Sequence, residues 1–216
     1  NTFQMACDTD EESIFNIALG AGGENGSAIT DQHRICIDNI VLEKTSAPEI
    51  DVPVGKNLIT NSEFEMSEDG SLAGWENAVT APGDATFEAG DGKITYSVEN
   101  VGEADWNIQL KQMGLSLEQG ESYTLKCTLV SDVDRVVKVA VMTPSAGYAW
   151  HGGEDVVLTA GEAKDVTLTI TPKEEVFTDG ITVDTGAGLF FSMGYVEGYT
   201  LGAHTVSISN VSFVKN

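Results

Sequence analysis

Apolar side chains recur at every second position through most of this 216-residue chain. KITYSVEN (93–100), WNIQLKQ (106–112), SYTLKCTLV (122–130), RVVKVAVM (135–142), KDVTLTI (164–170) and HTVSISNVSFV (204–214) alternate or run as β-branched blocks. Successive side chains of a strand point to opposite faces, so this pattern gives one apolar face that must pack on a second sheet. Gly, Asp and Asn turns separate the blocks, and no stretch holds apolar residues at helical spacing over three turns without a Gly or Thr-rich break. Short strands at intervals of roughly 8 to 15 residues predict an all-β chain, a sandwich or jelly roll.

The chain also repeats itself. HRICIDNIVLEK (33–44) has the shape of HTVSISNVSFVK (204–215), with His33, Ile37, Asn39 and Lys44 falling on His204, Ile208, Asn210 and Lys215. Upstream, residues 3–20 fall on 177–194 without a gap, bringing Phe3 onto Phe177, Asp10 onto Asp184, Phe15 and Ile17 onto Leu189 and Phe191, and Gly20 onto Gly194. Blocks repeated in the same order, joined by a turn in each copy, mark a duplicated unit. Residues 1–46 are therefore expected to be the C-terminal fragment of a preceding module, 47–56 (with two prolines in TSAPEIDVPVGK) a stiff linker, and 57–216 a complete module. Such a fragment cannot bury its apolar face alone, so a missing segment or a second chain is expected to complete it. The alternative is that 1–46 is an extra hairpin of a single domain.

Thirty-four acidic against eleven basic residues give a net charge of −23, which argues against nucleic acid or an anionic membrane as partner. The balance fits a highly solvated secreted surface, or a calcium-rich setting. No run of 18 apolar residues is present, and residue 1 is Asn, so any signal peptide is expected upstream. Cys7, Cys36 and Cys127 show no CxxC spacing; the last two lie in alternating strands and read as small core residues, and a Cys7–Cys36 bridge is the less favoured reading.

Three stretches carry a resemblance. NLITNSEFEMSEDGSLAGWENA (57–78) resembles the Asn-Leu-x-x-Asn-Gly-x-Phe-Glu…Gly-Trp opening of carbohydrate-binding modules of the family 4, 9 and 22 group. WNIQLKQMGLSLEQGESYTLKCTLVSD (106–132) is similar to that group's Trp-x-x-Gln-Leu-x-Gln core stretch, and SISNVSFVK (207–215), with ICIDNIVLEK (35–44) in the first copy, to its closing Ile-Asp-Asn-Val strand. Ser62 stands where the group has Gly. The resemblance implies a galactose-binding-like β-sandwich jelly roll with a polysaccharide groove across one sheet. It also implies a structural calcium ion near the chain ends, held by Glu65 and an aspartate of the last strand. That second position is Ser209 here, which lacks the anionic oxygen calcium prefers, so backbone carbonyls or Asp69 would have to substitute; the first copy keeps Asp38.

Sugars are held by aromatic faces stacked on C–H groups and by planar amides that satisfy hydroxyls. Alternation along WNIQLKQ puts Trp106, Ile108, Leu110 and Gln112 on one face and Asn107, Gln109 and Lys111 on the other. Ile108 and Leu110 claim the core, which leaves Asn107 and Gln109 exposed as amide donors. Trp106 is a groove rim or a core cap, and Gln112 follows the strand. In TPSAGYAWHGGED (143–155), Tyr148, Trp150 and His151 sit among small residues and read as a stacking platform, or as a plug at the sandwich edge. Tyr195 and Tyr199 bracket the turn before the last strand as an opposite lip or an edge cover, and Trp75 reads as a core anchor.

No HExxH, GxSxG or phosphate-binding loop appears, and the three histidines form no metal pattern. The expectation is a non-catalytic module of a secreted or cell-surface bacterial protein, binding a β-glucan or xylan for a glycoside hydrolase in the same parent chain. The alternative is a structural or adhesive sandwich that serves as a spacer without sugar affinity.

Overall fold

A computed structural model describes residues 51–178 and 180–216. The expected fragment over 1–46, with His33, Asp38, Cys7 and Cys36, lies outside the described residues.

The alternating stretches form ten strands: β1 (Glu76–Val79), β2 (Asp84–Gly90), β3 (Lys93–Asn100), β4 (Ile108–Glu118), β5 (Tyr123–Ser131), β6 (Arg135–Thr143), β7 (Ala149–Leu158), β8 (Ala163–Ile170), β9 (Val183–Ser192) and β10 (His204–Lys215). They pair antiparallel into two five-stranded sheets, ordered β1-β4-β9-β6-β7 and β2-β3-β10-β5-β8. The chain crosses repeatedly between sheets, and the result is the β-sandwich of a jelly roll. Its core is the set of inward positions that the period of two marked: Ile94, Tyr96, Leu110, Leu125, Leu129, Leu189, Phe191, Ile208 and Phe213 are buried. Trp75 anchors one end. Its ring lies 5.1 Å from Phe64 and 6.3 Å from Phe191, and its indole N–H donates to Asn61 O at 3.0 Å. Cys127 is a buried free thiol that burial pushes up to about 12.

The stretch expected as a linker over 47–56 belongs to the sandwich from Val52 onward. Val52 is 2% exposed and donates its N–H to Glu118 Oε1 at 3.0 Å, and Gly55 N–H reaches Lys215 O at 3.2 Å. A valine that can join an apolar core gains more there than two nearby prolines gain by stiffening a free segment.

β10 explains the residues shared with 33–44. His204 accepts from buried Arg135, and Ile208 is fully buried. Asn210 (φ 53°) forms a bulge where pairing with β5 slips between Ser209 and Ser212, and Lys215 pairs with Glu118. Each of these four residues thus has a specific task in β10.

Candidate functional site

The outer face of sheet β1-β4-β9-β6-β7 follows from register, because residues paired across strands share a face. Ile108 and Leu110 point inward, so Gln109 and Lys111 point out. Gln109 pairs with Ser192, Ser192 with Lys138 and Lys138 with Asp155, making a polar row across four strands. Two residues further along, Lys111, Phe190, Ala140 and Gly153 form the next row, followed by Met113, Gly188, Met142 and Trp150. One side of the face is thus polar and the other apolar. The polar groups are held in place: Gln109 Nε2 donates to Ser192 Oγ at 2.9 Å, and Lys111 pairs with Glu76 and Lys138 with Asp105, each at 2.9 Å.

A bulge decides where Trp150 goes. Val141 pairs with Gly152 but Met142 with Trp150, so His151 is an extra residue in β7. That slip turns Trp150 outward, where it is 46% exposed, and His151 inward. The indole then lies along the sheet: a Cβ on Gly153 would come within 2.6 Å of Trp150 Cζ2. The Cζ2–Cη2 edge of the ring lies over the bare backbone of Gly153, and nearly half of the residue is open to solvent. Tyr148 (φ 62°), in the preceding turn, is 61% exposed.

At the other end of the face, Trp106 and Tyr195 come together through backbone bonds. Gly194 N–H donates to Asp105 O at 2.9 Å and Tyr195 N–H to Ala104 O at 3.1 Å. Trp106 is 54% exposed and so does not cap the core; Tyr195 is exposed and Tyr199 half-buried. Beneath them lies a feature that sequence reasoning missed. Arg135 is fully buried and donates to Met193 O, to Gly194 O at 3.4 Å and to His204 Nε2. Burial brings its guanidinium down to about 10. Its only trace in the sequence is a charge opening the apolar run RVVKVAVM.

Three expected contact residues point elsewhere. Asn107, expected on the exposed face, is 2% exposed: residues Asp105–Asn107 form a 3₁₀ turn, so strand alternation begins only at Ile108. Its Oδ1 accepts from Glu103 and Ala104 N–H, and its Nδ2 donates to Thr80 O. Gln112 is 3% exposed and spends both ends of its amide on the Thr60 backbone, at 2.7 and 2.8 Å. His151 is 4% exposed and bonded to Thr143 and the Lys173 N–H. Lys138, Ser192, Asp155 and Met113 take their places on the outer face, where the parity of RVVKVAVM and LFFSMG could have marked the first two.

The family model described as "carbohydrate binding domain", of the family 4 and 9 group, matches residues 56–185. The chain belongs to this family. Among solved structures, a CBM4 domain is 19% identical, with a TM-score of 0.58 over 73% of this chain and 99% of its own. The N-terminal cellulose-binding domain of Cellulomonas fimi β-1,4-glucanase C is 20% identical, with a TM-score of 0.53 over 74% and 98%. An α-L-arabinofuranosidase, MgGH51, is 11% identical with the same TM-score over 75% of this chain and 27% of its own. No curated protein sequence matches the chain.

Two buried histidines give this carbohydrate-binding module a pH dependence. Arg135 can only donate, so His204 Nε2 accepts and its Nδ1–H donates to Gly202 O at 2.7 Å; the ring is neutral. His151 accepts the Lys173 N–H at Nδ1 and donates from Nε2 to Thr143 Oγ1, whose hydroxyl proton goes to Asp184. Burial holds both rings below the ordinary value of 6.5, against the opposing pull of Asp132 on His204 and of Asp184 and Glu175 on His151; Arg135 and Lys173 add to the depression. The unfolded chain takes up these protons as pH falls through 6.5 while the folded one resists, so stability is complete above 6.5 and declines below it. The melting temperature is expected to drop between pH 7 and pH 5, and less so in His204→Asn. A flat profile would remove this account.

The residues that the resemblance offers to a calcium ion have the following surroundings. Asp69 Oδ1 accepts from Ser71 N–H at 3.0 Å and caps its own turn. Glu65 lines an open cleft with Glu63 and Asp91, and Ser209 pairs with Lys93. Among the described residues no three carboxylate, imidazole or thiolate groups are placed to hold a metal ion, and Asp38 lies outside them. Melting with and without chelator tests the ion: curves that differ would support a calcium held with the help of Glu65, and identical curves would remove it.

Proposed function

We propose that this module binds a plant-type polysaccharide, a β-glucan or a xylan, along the outer face of sheet β1-β4-β9-β6-β7, and holds an attached glycoside hydrolase against that substrate in a secreted or cell-surface bacterial protein. The observation that carries the reading is the exposed Trp150 indole, reaching over Gly153 on the outer face two rows from an ordered line of Gln109, Ser192, Lys138 and Asp155. A pyranose stacked on that indole would turn its hydroxyl edge to donors and acceptors already fixed by mutual hydrogen bonds and ion pairs, so little further ordering is needed on binding. Among Glu76, Lys111, Asp105, Lys138 and Asp155 the charges nearly cancel, which suits an uncharged glycan. The resemblance of fold to a cellulose-binding domain supports the ligand class, and the place of a similar sandwich within an arabinofuranosidase supports the attachment.

A few stacking contacts of about 1 kcal/mol each, with a few hydrogen bonds, give roughly micromolar affinity, sufficient for a tethered module. Affinity electrophoresis in gels containing xylan, barley β-glucan, laminarin or starch tests it. Retardation by xylan or a β-glucan is expected; migration unchanged in every gel would leave the module as a spacer.

A further inference from the structure

Three features converge on Met113, a residue that no motif of the sequence marks. Alternation from Gln109 through Lys111 places it on the outer face, opposite Gly188 of β9. β4 then loses register: Met113 pairs with Gly188 and Leu115 with Ala187, leaving Gly114 (φ 84°) as an extra residue. A bulge of this kind bends its strand and re-aims the neighbouring side chain. Finally, a Cβ on Gly188 would come within 2.5 Å of Met113 Sδ and 3.0 Å of Phe190 Cε2. The thioether fills the space that a side chain at 188 would claim. It nevertheless leaves Met113 41% exposed and outside the core cluster.

The arrangement mirrors the opposite flank. There, a bulge at His151 and the bare backbone of Gly153 leave room for the Trp150 ring; here, a bulge at Gly114 and the bare backbone of Gly188 do the same for the Met113 thioether. Phe190 and Ala140, both buried although on the outer side, lie between the flanks. An exposed apolar side chain steered by two local devices, with no share in the core, is arranged for something that arrives from solvent.

We propose that Met113 is a ligand-contacting residue, a polarisable platform on the β4 side that grips the C–H face of the glycan opposite Trp150, and that Gly188 is the positioning residue that lays it flat. This rests on the reading of the face as a glycan site. A flexible thioether adapts to the face of a sugar while still excluding water from it.

The test uses the full chain in whichever polysaccharide gel retards the wild type, with Met113→Ala, Gly188→Ala, their double variant and Trp150→Ala. Met113→Ala is expected to weaken binding roughly fivefold, the worth of one or two buried methylenes, with an unchanged melting temperature. Gly188→Ala should weaken it comparably by lifting the thioether, and the double variant should be no worse than either single one, because both act through one contact. If Trp150→Ala loses affinity while Met113→Ala binds as the wild type does, the Met113 proposal falls and the glycan face stands. Additive losses in the double variant would overturn the positioning role of Gly188. If no gel retards the wild type, or Trp150→Ala binds undiminished, the face itself is misread and Met113 falls with it.

Discussion

Arg135→Ala is expected to lower the unfolding free energy by about 3–5 kcal/mol. The side chain is fully buried and spans from β6 to the turn after β9, donating to Val136 O, to His204 and to two backbone carbonyls of that turn. Truncation leaves a cavity the length of the guanidinium arm and strands those acceptors away from water. Arg135→Met separates the two costs. It keeps much of the packing but none of the donors, so the loss should be smaller, about 1–3 kcal/mol. Among the described residues no acidic side chain contacts this guanidinium, and its charge is met there by carbonyl dipoles and a neutral imidazole. If Arg135→Met proved as stable as the wild type, removal of the buried charge would be offsetting the orphaned carbonyls. Denaturant melts of the three proteins decide it. The same carbonyls belong to the turn that carries Tyr195 beside Trp106, so the Ala variant should also loosen that rim, seen as lower protection of the Tyr195 amide from hydrogen exchange.

Trp150→Ala is expected to reduce glycan affinity roughly tenfold or more while changing stability by less than about 1 kcal/mol. The indole is 46% exposed and rests on Gly153, so little of the core depends on it. Its value lies in the solvent-facing ring surface, which an alanine does not replace. Trp150→Phe should restore part of the affinity, since a smaller flat ring can occupy the same place. Equal retardation of wild type and Trp150→Ala in every retarding gel would show that the ligand lies elsewhere. Trp106→Ala, at the far end of the face, would then become the informative variant.

The sandwich was legible because its information is local. Tyr123, Leu125, Cys127 and Leu129 alternate with Thr124, Lys126 and Thr128, and β5 buries the first set in the core. The opening and closing motifs around Trp75 and β10 were readable for a different reason: each is a short run of residue types in fixed order, although its partners, such as Phe191 for Trp75 and Thr128 for Asn210, lie far along the chain. Gln109 faces outward as parity indicated, and Trp150 is exposed. Asn107, Gln112 and His151 were not, since an amide or imidazole suited to a sugar is equally suited to a backbone, and only the packed structure shows which it meets.

The sequence by itself determined which residues alternate, hence that two sheets form and which positions fill the space between them. Tertiary structure alone decided which chemistry faces outward. A single extra residue at His151 or Gly114, or the 3₁₀ turn over Asp105–Asn107, inverts the parity of everything on one side of it. Such a slip is stabilised by partners distant in sequence, among them Asp184 for the His151 side chain network and Gly188 for Met113. Period two is a property of one strand, whereas its phase belongs to the sheet.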